Sequence, residues 1–120
     1  MTNVNQVLIF KDLFNILERE KELPWESFHP GVDIYRLYGD GHQGSAAALL
    51  RYQPGATVPE HEHTGFEHIF VLSGLQSDRN GEHRAGTLVI NPPGSNHCVI
   101  SQSGCIVLAI WEKPVSIRSC

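Results

Sequence analysis

From Val32 onward the chain is a series of short apolar runs cut apart by turn-forming residues, and this punctuation limits the fold more than any other feature. The breaks are Gly39-Asp40-Gly41, Gln53-Pro54-Gly55, Ser73-Gly74, Asn80-Gly81, Asn91-Pro92-Pro93-Gly94 and Ser101-Gln102-Ser103-Gly104. Glycine and asparagine tolerate left-handed backbone and proline fixes φ, so such clusters separate extended segments. Between them lie Val32 to Tyr38, Ser45 to Tyr52, Glu67 to Leu72, Leu88 to Ile90, His97 to Ile100 and Cys105 to Trp111, all near ordinary strand length. Asn80-Gly81 predicts a tight hairpin. Strands this short leave open pairing edges unless they close into a barrel or pack as a sandwich, so a compact all-β barrel is expected.

Ahead of the strands, Phe10, Leu13, Phe14 and Leu17 recur at helical spacing with Lys11, Asp12, Glu18, Arg19 and Glu20 between them. That pattern predicts one amphipathic helix from Phe10 to about Glu20, stopped before Pro24. Its apolar stripe has to cover a barrel end or a partner subunit. With 120 residues, one core is the expectation: a helical extension over residues 1–24 and a barrel over 25–120.

Bulk properties exclude several classes. A composition of 41% hydrophobic and 18% charged residues is globular, without a long apolar stretch. The net charge of -4 and pI of about 5.9 supply no basic field for phosphates, so nucleic acid is not an expected direct partner, and with so little continuous apolar sequence neither is a membrane. The first residues show no basic and apolar secretory pattern, which places the chain in the cytoplasm by expectation. Cys98, Cys105 and Cys120 form an odd set without a C-x-x-C pair and are read as reduced thiols, with Cys98 on the strand face opposite to its neighbour His97.

The chemistry is concentrated in a few residues. His61 and His63 are two apart, so on an extended strand both imidazoles project from one face. Glu67 follows beyond Thr64-Gly65, a turn expected to bring the next strand back alongside. His97 opens a later strand after the rigid Pro92-Pro93-Gly94 turn and is the candidate fourth ligand. Three imidazoles and a carboxylate suit zinc, iron(II), nickel, manganese or copper, and leave coordination positions open for water, dioxygen or a chelating substrate. His68 should point outward, and His29, His42 and His83 sit near Pro or Gly in expected loops. Trp25 and Trp111 are read as packing anchors, while Arg51 and Tyr52 lie on a strand whose inward face the pattern leaves open.

The spacing of these residues carries a resemblance. Gly55, His61, His63, Glu67 and Gly74, followed by Gly86, Pro92, Gly94 and His97, stand at the separations of the two motifs by which cupins are recognised. The second motif often ends in Asn where this chain has Ser101, a position that is not a metal ligand in the family. Pro30-Gly31-Val32, Gln53-Pro54-Gly55-Ala56, His61-Glu62-His63-Thr64-Gly65, Val71-Leu72-Ser73-Gly74 and Asn91 to His97 further resemble the C-terminal cupin domain of the anti-sigma factor ChrR and its stand-alone relatives, over about Trp25 to Glu112.

That resemblance implies a double-stranded β-helix or jelly-roll barrel with zinc on His61, His63, Glu67 and His97, and iron(II), manganese or nickel as alternatives. In the ChrR family a separate helical zinc domain binds the sigma factor, and only about one helix precedes the first strand here, so sigma-factor binding is not expected. The expected function is a small-molecule-binding, stress-sensing or regulatory cupin; the small-residue strand Ser45-Ala46-Ala47-Ala48 agrees with a ligand space. A dioxygenase of diketone or phenolic substrates, or an isomerase, is the alternative. A metal that merely staples strands ranks third. A homodimer is expected, in line with the uncovered helix stripe.

Overall fold

The computed structural model describes residues 6–117. A broken helical segment comes first: single 3-10 turns at Leu13–Asn15 and Glu20–Glu22 flank the short helix α1, Ile16–Arg19. Ten strands follow, β1 (Glu26–His29), β2 (Val32–Tyr38), β3 (Ala46–Tyr52), β4 (Ala56–His63), β5 (Glu67–Asp78), β6 (Gly81–Arg84), β7 (Leu88–Asn91), β8 (Asn96–Ser101), β9 (Cys105–Trp111) and β10 (Val115–Ile117). No helix among the described residues is long and apolar enough to cross a membrane.

The strands form one curled antiparallel sheet in the order β1-β2-β3-β9-β5-β8-β4-β10, with β6 and β7 both paired to β5. Strand β5 is the spine. Its first part pairs with β9 and β7, and its last residues, Leu75 to Asp78, pair with β6 and touch β8 at Ser77. The expected break at Ser73-Gly74 is instead a bulge inside a continuous strand: the register shifts between Val71 and Ser73, and Gly74 takes φ 79°. A Cβ at Gly74 would collide with the Gly104 carbonyl and come within 2.8 Å of Cys105 Cα, so the bend needs glycine.

Period-two alternation sorts the side chains into two cores. Inside the barrel, Val32, Ile34, Ala48, Leu50, Val71, Val99, Val107 and Ala109 pack together with Tyr52 and Trp111. On the outer face of β3, β5 and β9, Leu49, Leu72 and Ile106 meet Ile16 of α1. The helical stripe therefore differs from expectation. Ile16 is the buried residue at 2% exposure, whereas Phe14 and Leu17 are 80% and 60% exposed. The reason is the late start of the helix: Asp12 has left-handed backbone at φ 59°, so Phe10 belongs to no helical turn. Burial of Ile16 contributes about 1.5–3 kcal/mol to docking the segment.

Arg51 pins the same segment from the sheet. It faces outward, donates to Asp33 Oδ2 at 2.8 Å, lies 3.6 Å from Glu20 Oε2, and stacks its guanidinium 4.6 Å from the Trp25 ring centre. Tyr52, its neighbour, consequently faces the barrel interior. Cys105 is a free, buried thiol of the inner core, and burial pushes it up to about 11. Cys98 does lie on the exposed face of β8, but it is disulfide-bonded, which corrects its reading as a reduced thiol; an odd cysteine count gives no information about which residues the fold brings near each other. Cys120 lies outside the described residues.

Candidate metal centre

The phase of β4 is what creates the centre. Ala56 and Val58 face inward, and unbroken alternation would next send Glu60 and Glu62 into the core. Between Val58 and His61 the β4–β8 register shifts by a bulge at Pro59-Glu60, which inverts the alternation and turns His61 and His63 inward. His97 enters from β8 as the residue directly opposite His61. Glu67 enters at the start of β5. The bend at Thr64-Gly65 carries the chain there from β4 without pairing the two strands, so the expected hairpin is replaced by a crossing from one side of the barrel to the other.

All four sequence candidates, His61, His63, Glu67 and His97, meet in this way. Each is buried, and their ligand atoms lie within 4.8 Å of one another. Such a group of three imidazoles and one carboxylate is able to hold a divalent metal ion.

Hydrogen bonds orient two of the rings, and a nearby carboxylate faces the third. His61 Nδ1–H donates to the Pro59 carbonyl at 3.0 Å, a partner supplied by the bulge itself. Ser95 donates its hydroxyl to the Pro92 carbonyl at 2.6 Å, so its oxygen accepts from His63 Nδ1–H at 2.9 Å. His97 Nδ1 lies 3.5 Å from Asp78 Oδ2. With their Nδ1 atoms turned to these acceptors, the three rings direct Nε2 lone pairs into one space.

That space is electrostatically uncomfortable without a cation. His61 Nε2 and His97 Nε2 are only 2.7 Å apart. If either ring carried its proton there, its Nδ1 lone pair would face the Pro59 carbonyl or the Asp78 carboxylate. Protonating both rings is opposed as well: burial first, and then neighbouring imidazoles, lowers His61 and brings His97 down to about 4, although the Glu67 charge pulls the other way. His63 Nε2 is buried without a hydrogen-bond partner, 3.0 Å from Glu67 Oε1. A divalent cation would answer every one of these lone pairs, so the residues fit a metal.

Glu67 is held from both sides. Its two cross-strand neighbours are Asn91 of β7 and Trp111 of β9. Asn91 Nδ2 donates to Oε1 at 3.0 Å and Trp111 Nε1–H donates to Oε2 at 2.6 Å. Burial alone would push the carboxyl up, but the His63 contact and the three imidazoles outweigh it and hold Glu67 below the usual carboxylate range. Trp111 thus does more than pack. Asn91 and Asp78 carried no separate sequence signal, because their contribution depends on cross-strand register. His83 approaches the centre indirectly, 3.0 Å from Asp78 Oδ1, while His68 lies on the outer face beside Phe66.

Beside His61, Glu67 and His97 lies a cavity of about 30 Å³, room for one or two water-sized molecules. Its wall includes Tyr52, Gln76 and Val99. Burial, then the Cys105 and Glu67 charges, pushes the Tyr52 phenol far up, so it is a neutral hydroxyl.

A curled antiparallel barrel with three histidines and a glutamate gathered inside defines a cupin. Within that class, the ChrR Cupin-like domain family matches residues 15–114, and the chain belongs to this family. It is 34% identical over 103 residues to the anti-sigma-E factor ChrR of Cereibacter sphaeroides, covering 84% of this chain and 47% of that protein. The chain thus spans about half the length of this curated relative. The crystal structure of Rhodobacter sphaeroides SigE in complex with the anti-sigma ChrR superposes with a TM-score of 0.70 at 28% identity, over 80% of this chain and 53% of the other. A putative acetylacetone dioxygenase from Methylibium petroleiphilum shares the fold, with a TM-score of 0.77 at 14% identity over 99% and 85% of the two chains.

Asp78→Asn and Trp111→Phe each leave the four candidate ligands in place and remove one orienting partner. Each is expected to weaken metal binding by about 10- to 100-fold, with His68→Ala on the outer face unchanged. Competition against a chromophoric chelator checks this; equal affinities across all variants would mean that the ring and carboxylate orientations do not matter.

Proposed function

We propose that the chain is a metal-binding regulatory cupin that holds one divalent ion, preferably zinc, on His61, His63, Glu67 and His97 and couples a small molecule to a stress response. The observation that carries this reading is the convergence of three inward Nε2 lone pairs and a carboxylate inside 4.8 Å. The preference for zinc rests on the resemblance to the ChrR family; the donor set itself also suits iron(II), manganese and nickel. Bound there, the ion would act as a Lewis acid toward an oxygen ligand. The chain's own share is to keep the imidazoles neutral, to hold Glu67 through Asn91 and Trp111, and to present the neutral Tyr52 hydroxyl and Gln76 to whatever occupies the inner cavity.

A regulatory role draws support from the relative named an anti-sigma factor and from the structure of ChrR bound to SigE. Those facts also remove the ground for ruling out a sigma factor. The expectation against it rested on a missing helical module, and a chain matching about half of its relative cannot speak for the other half. A sigma factor is therefore kept among the partners.

A second reading, a metal-dependent oxygenase or isomerase, is favoured by the small cavity that reaches His61, Glu67 and His97 and leaves room for an additional ligand. Elemental analysis of protein purified without an affinity metal, together with oxygen-consumption assays on diketones and phenols, separates the two. Stoichiometric zinc, lost in His61→Ala, with no oxygen uptake is the expected result. Iron with His61-dependent oxygen uptake would favour the enzyme, and absence of any ion would defeat both.

The dimer is proposed on the outer sheet face that α1 leaves bare. There Leu88 and Ile90 of β7 and Ile110 of β9 are exposed around His68, with Ile90 and Ile110 its two cross-strand neighbours. Sedimentation should give about twice the 13.4 kDa chain mass, falling to one chain in the Ile90→Asp, Ile110→Asp double variant; a wild-type monomer would refute the proposal.

A further inference from the structure

A second, larger space adjoins the small cavity at the metal centre. It measures about 320 Å³ and is walled by Phe28, Ala46, Trp111 and Val115, with Arg36 and His42 at its rim. Phe28, Trp111 and Val115 line both spaces, and Phe28 and Val115 belong to β1 and β10, the two edge strands where the sheet ends. The inner cavity is too small for an organic molecule. The outer one has the volume for it.

The polar side of this vestibule carries the Arg36 guanidinium and the Asp40 carboxylate. Arg36 sits on β2 and has no ion pair among the described residues, in contrast to Arg51, which is held by Asp33 and Glu20. Its guanidinium lies against Gly41: a Cβ built there would be 3.3 Å from Nη1, and Gly41 takes φ 80°, a conformation suited to glycine. Asp40 also borders the space, but its Oδ1 is engaged by the backbone amides of His42 and Gln43 at 2.8 and 3.3 Å and forms no ion pair with Arg36. Its hydrogen bonds shape the loop that carries His42. Ala46 faces Trp111 across the β3–β9 pair, and its single methyl group keeps the space open.

We infer that this vestibule binds a small organic carboxylate, with the anion on Arg36, His42 beside it, and the apolar body along Phe28, Trp111 and Val115. Arginine is suited to this task because its planar fork meets both carboxylate oxygens. The occupant would touch Trp111, whose indole N–H holds Glu67, so the site and the metal centre share one side chain. The inference stands on Arg36 and the vestibule and is independent of metal binding.

Calorimetric titration tests it with acetate, pyruvate, benzoate and phenylpyruvate, and with neutral benzamide as the control, against metal-loaded and chelator-stripped protein. At least one carboxylate is expected to bind saturably to both forms. Arg36→Gln should weaken that binding about tenfold or more, and Ala46→Leu, which fills the vestibule, should also weaken it. The inference is overturned if none of the four acids binds, if benzamide binds as well as benzoate, or if binding disappears with the metal while ignoring Arg36. Circular dichroism of both variants establishes that they are folded.

Discussion

Everything at the centre of this protein depends on one irregularity in one strand. The bulge between Val58 and His61 shifts β4 by a residue, so two imidazoles enter the core where two glutamates otherwise would. A one-residue slip in a strand exchanges its faces completely. The same bulge supplies the Pro59 carbonyl that accepts from His61 Nδ1–H, so it sets both the direction of the ring and the nitrogen it offers. Ring position and the tautomer of the neutral ring follow from the same local geometry.

The remaining strands complete what the bulge begins. His97 stands opposite His61, and Asp78, at the end of the bent spine strand β5, faces its other nitrogen. Glu67 is flanked in the sheet by Asn91 and Trp111, and both donate to it. Loss of pairing in β7 or β9 would therefore release the carboxylate as well as the strand. The 2.7 Å approach of two neutral imidazole nitrogens shows the reverse dependence, since a bound cation would relieve a conflict that the barrel imposes.

Much of this was legible in the residue order, for identifiable reasons. Strands β2 and β9 begin and end where their apolar runs do: Gly31 and Gly39 bracket β2, and the unbroken apolar run of β9 lies between Gly104 and the charged pair Glu112-Lys113. Only the His61 and His63 end of β4 was readable as extended, because Pro59, Glu60 and Glu62 interrupt its apolar pattern; β1 and β6 are short and mostly polar, and β10 is a run of 3 residues. Ser73-Gly74 resembles a turn locally but serves as a bulge, since the left-handed glycine bends β5 without ending it. The helix was placed by the Phe10, Leu13, Phe14 and Leu17 stripe, yet the surface of β3, β5 and β9 accepts Ile16. The four candidate ligands were readable from spacing, whereas Asn91, Asp78 and Trp111 act through register that only the folded sheet displays.

X-ray absorption spectroscopy at the metal edge of the protein as purified reaches the central claim most directly, because it counts and types the donor atoms. The account predicts one divalent ion surrounded by three imidazole nitrogens and a carboxylate oxygen, with no sulfur. A thiolate in the shell, or fewer than three imidazoles around a stoichiometric ion, would contradict it.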